Sequence, residues 1–155
     1  MGKVFLVATA QGIVSFHFFI HPIAEHLTAV EKKLKKRPVN NDTIMQTHWE
    51  KLKNQAPLTL ILSGTHFQQK VWQGLMAIPP GTTLSYQRVA KNLGIPRATR
   101  AVANAIGAND LAYLIPCHRV IRSDKTLGGY QWGLKVKKAL LKAEKMNPKS
   151  TIFHA

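Results

Sequence analysis

The chain has 155 residues, enough to bury roughly two thirds of its unfolded surface in one or two small cores. It contains no apolar run of about 18 residues and no N-terminal secretory pattern, so a cytoplasmic protein without membrane contact is expected. Its 22 Lys and Arg against 7 Asp and Glu leave a formal charge of +15, and its single cysteine excludes both an internal disulfide and a Cys-rich zinc site.

An excess of this size attracts polyanions, with nucleic acid the leading partner. It is uneven: residues 1–63 hold eight Lys and Arg and four Asp and Glu, whereas residues 64–155 hold fourteen and three. The binding face is therefore expected in the second part.

Residues 3–9 and 13–20 flank Ala10, Gln11 and Gly12, an apolar hairpin signal with a glycine-containing turn. Ile23, Leu27, Val30 and Leu34 recur at helical spacing. Lys32, Lys33, Lys35, Lys36 and Arg37 then read as the solvated end of that helix before Pro38. A polar connection leads to Leu58–Leu62, an apolar run expected to form a buried strand. Residues 1–63 are thus read as a small α/β domain and residues 64–155 as a mostly helical one.

In the second part Thr65 is a candidate N-cap, and Phe67, Val71, Leu75 and Ile78 form one apolar stripe stopped by Pro79, Pro80 and Gly81. Ser85 can cap a short helix carrying Val89 and Leu93, Gly94 supplies a positive-φ stop, and Pro96 opens another helix. Ala98, Ala101, Val102, Ala105 and Ile106 share one face of it, with Arg97, Arg100 and Asn104 outside. Two short helices joined at a glycine fit a helix-turn-helix and, equally, an ordinary helical hairpin. The apolar run Leu111–Ile115 then delivers Pro116, Cys117, His118 and Arg119. A last helix, from about Gly133 to Met146, is expected to turn Leu134, Leu140 and Leu141 inward and Lys135, Lys138, Lys142 and Lys145 outward.

A solitary cysteine is more often packing than chemistry. Here the thiol stands next to His118 and Arg119, two potential cations expected to favour the thiolate. On an extended chain neighbouring side chains point to opposite faces, so His118 needs a local turn or a bridging water to reach the sulfur. Glu144 is the single acidic residue of the last helix, able to orient a histidine or simply to face solvent.

Ile115–Ile121, reading Ile-Pro-Cys-His-Arg-Val-Ile, resembles the active-site signature of the O6-alkylguanine-DNA alkyltransferases, the methylated-DNA–protein-cysteine methyltransferases. Gly64, Thr65, Phe67, Gln68, Val71 and Trp72 resemble the same family. So do Ile78–Ala90, Arg100–Ala103 and Gly129–Gly133, so that the likeness spans about residues 64–145.

The resemblance implies DNA repair by direct reversal: irreversible, stoichiometric transfer of an alkyl group from O6-alkylguanine, with O4-alkylthymine a second candidate, to Cys117 after base flipping. It implies that His118 acts as base through water and that Glu144 holds His118. Tyr86 would crowd the phosphate and protonate the leaving base, and Arg100 would fill the gap in the stack. Asn109 would be a hinge, Tyr130 and Gln131 pocket residues, Val120 a reader of the guanine edge through its carbonyl, and Arg119 a further substrate-side residue. The implied partner is double-stranded alkylated DNA, gripped through its minor groove by a monomer without an obligate protein partner.

Human-type members carry zinc on cysteines of the first domain; this chain has none there, so neither metal nor cofactor is expected. Ala112 replaces a common proline, and Gln131 and Trp132 replace small residues of some members, which bears on the alkyl groups accepted. Three other readings share parts of this pattern: a damage-binding relative without the acceptor cysteine, a methylation-sensing regulator, and a Cys-His-Glu hydrolase. The presence of Cys117 and the absence of a Cys-rich domain stand against the first two, and single turnover separates the third.

Overall fold

The computed structural model describes residues 4–18, 22–35 and 37–146. They form six α-helices and two two-stranded sheets, a mixed α/β architecture in two compact units. The described residues of Met1–Ser63 cluster with Asp110–Ala112 in one unit, and those of Gly64–Asn109 and Tyr113–Ala155 form the other.

In the first unit β1 (Val4–Ala8) pairs antiparallel with β2 (Ile13–Phe18), with an irregularity between Val7 and Ala8. Residues 19 and 20, assigned to this strand from sequence, lie outside the described residues, as does Lys36. A Cβ on Gly12 would approach the Thr59 carbonyl oxygen to 2.5 Å, so only glycine lets the two backbones meet there. The expected strand Leu58–Leu62 is reduced to a single parallel bridge between Leu60 and Ile13. The free edge of β2 is divided: Ile13 bonds to the Thr59–Ile61 segment, whereas Phe16 donates to Asp110 and accepts from Ala112. Neither segment has the whole edge to itself.

Helix α1 (Ile23–Leu34) buries His26 and Val30, but Ile23 is 53% exposed. The expected apolar row is completed instead by His26, whose ring stacks on Phe5 at 5.5 Å and contacts His17 Nδ1 through its own Nδ1 at 3.2 Å. The region read as a polar connection contains α2 (Asp42–Lys53), capped by the Asn41 side chain, which accepts from the Ile44 amide. Asp42 at its start and Lys51 and Lys53 at its end suit the helix dipole. Its buried residues are one histidine and one leucine, His48 and Leu52, too few to mark an apolar stripe.

In the second unit α3 (His66–Met76) opens with a complete capping box between Thr65 and Gln68. Val71, Trp72 and Leu75 are buried, and Trp72 Nε1 donates to the Ala105 carbonyl at 2.7 Å. That bond anchors α5 (Thr99–Gly107) to α3. Ser85, in β3 (Leu84–Ser85), caps α4 (Tyr86–Asn92) by accepting from the Arg88 amide. Gly94, at φ +77, ends the turn after α4. Pro96–Ala98 forms a 3-10 turn before α5 begins. The buried face of α5 is Val102, Ala105 and Ile106, whereas Ala98 is half-buried and Ala101 exposed. The small-residue row is therefore narrower than its spacing suggested.

β3 pairs in parallel with β4 (Val120–Ile121), Leu84 opposite Val120 and Ser85 opposite Ile121. Helix α6 (Leu134–Met146) corrects its expected orientation. Leu134 is 50% exposed, Leu140 and Leu141 are half-buried, and the residues turned fully inward are Lys137 and Glu144. Among the described residues no helix is long and apolar enough to cross a membrane.

Candidate active site around Cys117

The chain approaches this site through Tyr113, in the left-handed region at φ 65, and the buried residues Leu114, Ile115 and Pro116. It then winds into one 3-10 turn, Cys117–Arg119. At three residues per turn, successive side chains leave the backbone roughly 120° apart. Cys117, His118 and Arg119 are all buried and serve different surroundings.

Two of them converge on Glu144. His118 Nε2 lies 2.8 Å from Glu144 Oε1. Arg119 donates from Nε to both carboxylate oxygens at 3.1 Å and from Nη2 to Oε1 at 2.8 Å, while its Nη1 donates to the Ile78 carbonyl. The Gly81 amide donates to Oε2 at 3.2 Å. Burial by itself would raise the Glu144 carboxyl, but the hydrogen bonds from His118 and Arg119 outweigh it and hold the group at about 2. Glu144 is therefore an anion enclosed by donors. Of the two sequence readings left open for it, the inward one holds.

Burial lowers the His118 pKa, and the pull of Glu144 only partly offsets this. The imidazole is neutral at pH 7, and its Nε2–H is directed to the carboxylate. Nδ1 is then the basic nitrogen, buried and without a protein partner. The Tyr113 ring lies nearly parallel to the imidazole at 6.3 Å.

Cys117 is 4% exposed. Its sulfur faces a recess of about 360 Å³ lined by Tyr86, Ala103, Ile106, Tyr130, Gln131 and Trp132. Asn109 Nδ2 donates to Cys117 Sγ at 3.2 Å and to the Ile115 carbonyl at 3.3 Å. Burial pushes the thiol up to about 11, although the Asn109 hydrogen bond and the charge of Lys137 act in the opposite direction. The expectation that His118 and Arg119 favour the thiolate is thus corrected. Arg119 is committed to Glu144, and His118 is neutral.

Lys137, which the sequence reading passed over, is the cation felt by the sulfur. It is 0% exposed. Its Nζ donates to the carbonyls of Val120 at 2.6 Å and Gly129 at 3.2 Å, and also to that of Leu127. Desolvation lowers it to about 8. Lys137 falls seven residues before Glu144, two turns along one face, and that spacing was the available signal. A lysine among lysines gave no reason to use it.

The remaining expected site residues have different surroundings. Tyr86 and Tyr130 line the recess, and burial first, then the neighbouring Cys117, raises both phenols. Arg100 is exposed on α5 one turn before Ala103. The Gln131 amide, oriented by the acceptors it faces, donates to the carbonyls of Gly107 at 2.8 Å and Asn109 at 3.2 Å, tying the rim of the recess to the end of α5. The Val120 carbonyl accepts from Lys137 at 2.6 Å. Arg119, expected on the substrate side, is buried and bonded to Glu144. Among the described residues no group of three or more His, Cys, Asp or Glu is placed to hold a metal.

A family profile described as "6-O-methylguanine DNA methyltransferase, DNA binding domain" matches residues 66–146. The chain is 36% identical over 145 residues to the methylated-DNA–protein-cysteine methyltransferase of Saccharomyces cerevisiae, covering 94% of this chain and 77% of that protein. It is 59% identical over 87 residues to the regulatory protein Ada of Salmonella typhimurium, covering 56% of this chain and 25% of that one. The chain thus spans about a quarter of the length of that relative. Its fold is similar to the crystal structure of Mycobacterium tuberculosis OGT in complex with DNA, with a TM-score of 0.72 and 30% identity over 97% of this chain and 92% of that one.

Proposed function

The chain belongs to the O6-methylguanine DNA methyltransferase family, and on that premise we propose that it repairs alkylated DNA by moving an alkyl group from O6 of guanine to Sγ of Cys117, once per molecule. The observation that carries this reading is a single cysteine facing a recess of about 360 Å³, next to a neutral histidine whose free Nδ1 is set by Glu144.

The chemistry is one displacement. The Cys117 sulfur forms a bond to the alkyl carbon as the carbon–O6 bond breaks, and the electron pair leaves with the guanine. The thiol proton passes to His118 Nδ1 through a bridging water, and the departing base takes a proton in turn from the hydroxyl of Tyr86, which lines the recess. A thiol at about 11 leaves only about one molecule in 10⁴ ionised at pH 7. Proton removal therefore accompanies the attack rather than preceding it. The product is a thioether, which water does not hydrolyse as it would a thioester, so the protein is consumed.

To present O6 to a buried sulfur, the base must leave the helix. In this reading α4 and α5 act as a helix-turn-helix with α5 in the minor groove, and Arg100 occupies the space the guanine vacates. Flipping costs a few kcal/mol, least for a damaged pair. Asn109 joins the end of α5 to the cysteine segment, and the Val120 carbonyl reads the guanine edge.

Intact-protein mass spectrometry after incubation with an O6-methylguanine duplex tests this. One methyl mass per protein is expected, on the peptide containing Cys117, with a Cys117→Ala variant that binds the duplex and gains none. Multiple turnovers, or a label elsewhere, would end the proposal and favour a hydrolase.

A further inference from the structure

We propose that a second groove of the same unit, separate from the Cys117 recess, binds the phosphate backbone of the duplex flanking the lesion. Its occupant rests on the DNA reading above; the groove itself rests on its own residues. One wall is a stripe of α6, Lys138, Lys142 and Lys145, at i, i+4 and i+7. The other carries Arg122 and Lys125 from the turn after β4. All five cations are exposed.

The hydroxyl-bearing residues Thr83, Ser85 and Ser123 also line the groove, over an apolar floor of Ile121, Leu127 and Leu141. Among the described residues no carboxylate lines it. Asp124, on the same turn, accepts from the Thr126 amide and hydroxyl at 2.9 and 2.6 Å. Glu144, on the same helix, is turned inward to His118 and Arg119.

Five like charges around one concavity repel one another, and a bound polyanion relieves that cost while releasing its own counterions. Cations and hydroxyls together suit phosphates, which accept from both. The groove shares no lining residue with the recess, yet the two meet in sequence twice. Ser85 lines the groove and Tyr86 the recess; Leu127 lines the groove and Gly129 the recess. A duplex whose lesion sits at Tyr86 can therefore continue along the cationic walls. That continuity selects the flank of the same duplex over a separate polyanion.

The test measures the salt dependence of binding to a duplex that extends past the protein on both sides. Each phosphate contact contributes about 0.9 to the slope of log K against log salt. Lys138→Glu/Lys142→Glu is expected to lower the slope by about 2. Lys51→Glu/Lys135→Glu, with the same net charge but altered outside the groove, is expected to lower it by less than half as much. Arg122→Ala/Lys125→Ala tests the opposite wall and keeps the question open to refutation if the α6 variant misfolds.

An unchanged slope in the groove variants, or an equal fall in the control, overturns the proposal. Methyl uptake by the wild-type protein is measured on the same duplex. No uptake refutes the repair reading, whereas uptake with an unaltered slope refutes the groove alone.

Discussion

His118 Nε2 lies 2.8 Å from Glu144 Oε1, and this contact determines which imidazole nitrogen is free to accept a proton. Replacing Glu144 with Gln leaves an amide that can donate or accept, so the tautomer is no longer fixed. General-base help of this kind is worth about 10²- to 10⁴-fold. Glu144→Gln is expected to slow single-turnover methyl transfer by at least about 10²-fold. A rate within threefold of wild type would show that His118 needs no orienting partner.

The same carboxylate makes the second unit sensitive to acid. Its folded value, about 2, lies below the model-peptide value of 4.5, so its contribution to stability is present above pH 4.5 and is lost as pH falls through 2. The difference corresponds to about 3 kcal/mol. Chemical denaturation at pH 6 and pH 3 should show a loss in the wild type that is largely absent in Glu144→Gln. That variant is already less stable at pH 6 by about 3 kcal/mol, because Arg119 is left buried without its anion. Equal acid sensitivity in both proteins would assign the effect to other groups.

Burial and Lys137 oppose one another at the sulfur, and burial prevails. Alkylation of Cys117 by iodoacetamide should keep rising with pH up to about 11. Below about pH 8, where Lys137 is still charged, Lys137→Met should slow the alkylation, and above it the ammonium is lost and the two profiles should converge. A wild-type plateau near 9 would contradict the burial argument, and equal rates at pH 7 would reduce Lys137 to a tie between carbonyls.

Arg100 is exposed on α5. Arg100→Ala should slow repair in a duplex far more than reaction with the free modified base, for which no stack has to be held. Equal losses on the two substrates would remove its proposed role.

Trp132 is buried at the recess, its ring edge-on to Tyr130 at 5.2 Å. Trp132→Ala should speed reaction with O6-benzylguanine relative to O6-methylguanine, at a stability cost of about 3 kcal/mol. An unchanged ratio would place the limit on alkyl size elsewhere.

Local signals were legible because their causes are local. The Thr65 capping box, the Val71–Leu75 stripe, the Ser85 cap and the Gly94 turn each involve residues a few positions apart. So does the run Pro116–Arg119, whose composition marked Cys117 as chemical before its surroundings were known. Helix α2 escaped because its buried face is His48 and Leu52, and a histidine does not register as apolar.

What only the tertiary structure decided is which charges go inside. Helical spacing puts Leu134, Lys137, Leu141 and Glu144 near one face, and sequence preference buries the leucines. The fold instead exposes Leu134 and encloses Lys137 and Glu144, because distant segments converge on them with the groups a buried charge requires. Val120, Leu127 and Gly129 supply carbonyls to the ammonium. Gly81, His118 and Arg119 supply donors to the carboxylate. The sequence by itself determined the candidate nucleophile and the locally capped helices of the second unit. The protonation states of Cys117 and His118 follow from burial and from partners tens of residues away, which no local pattern encodes.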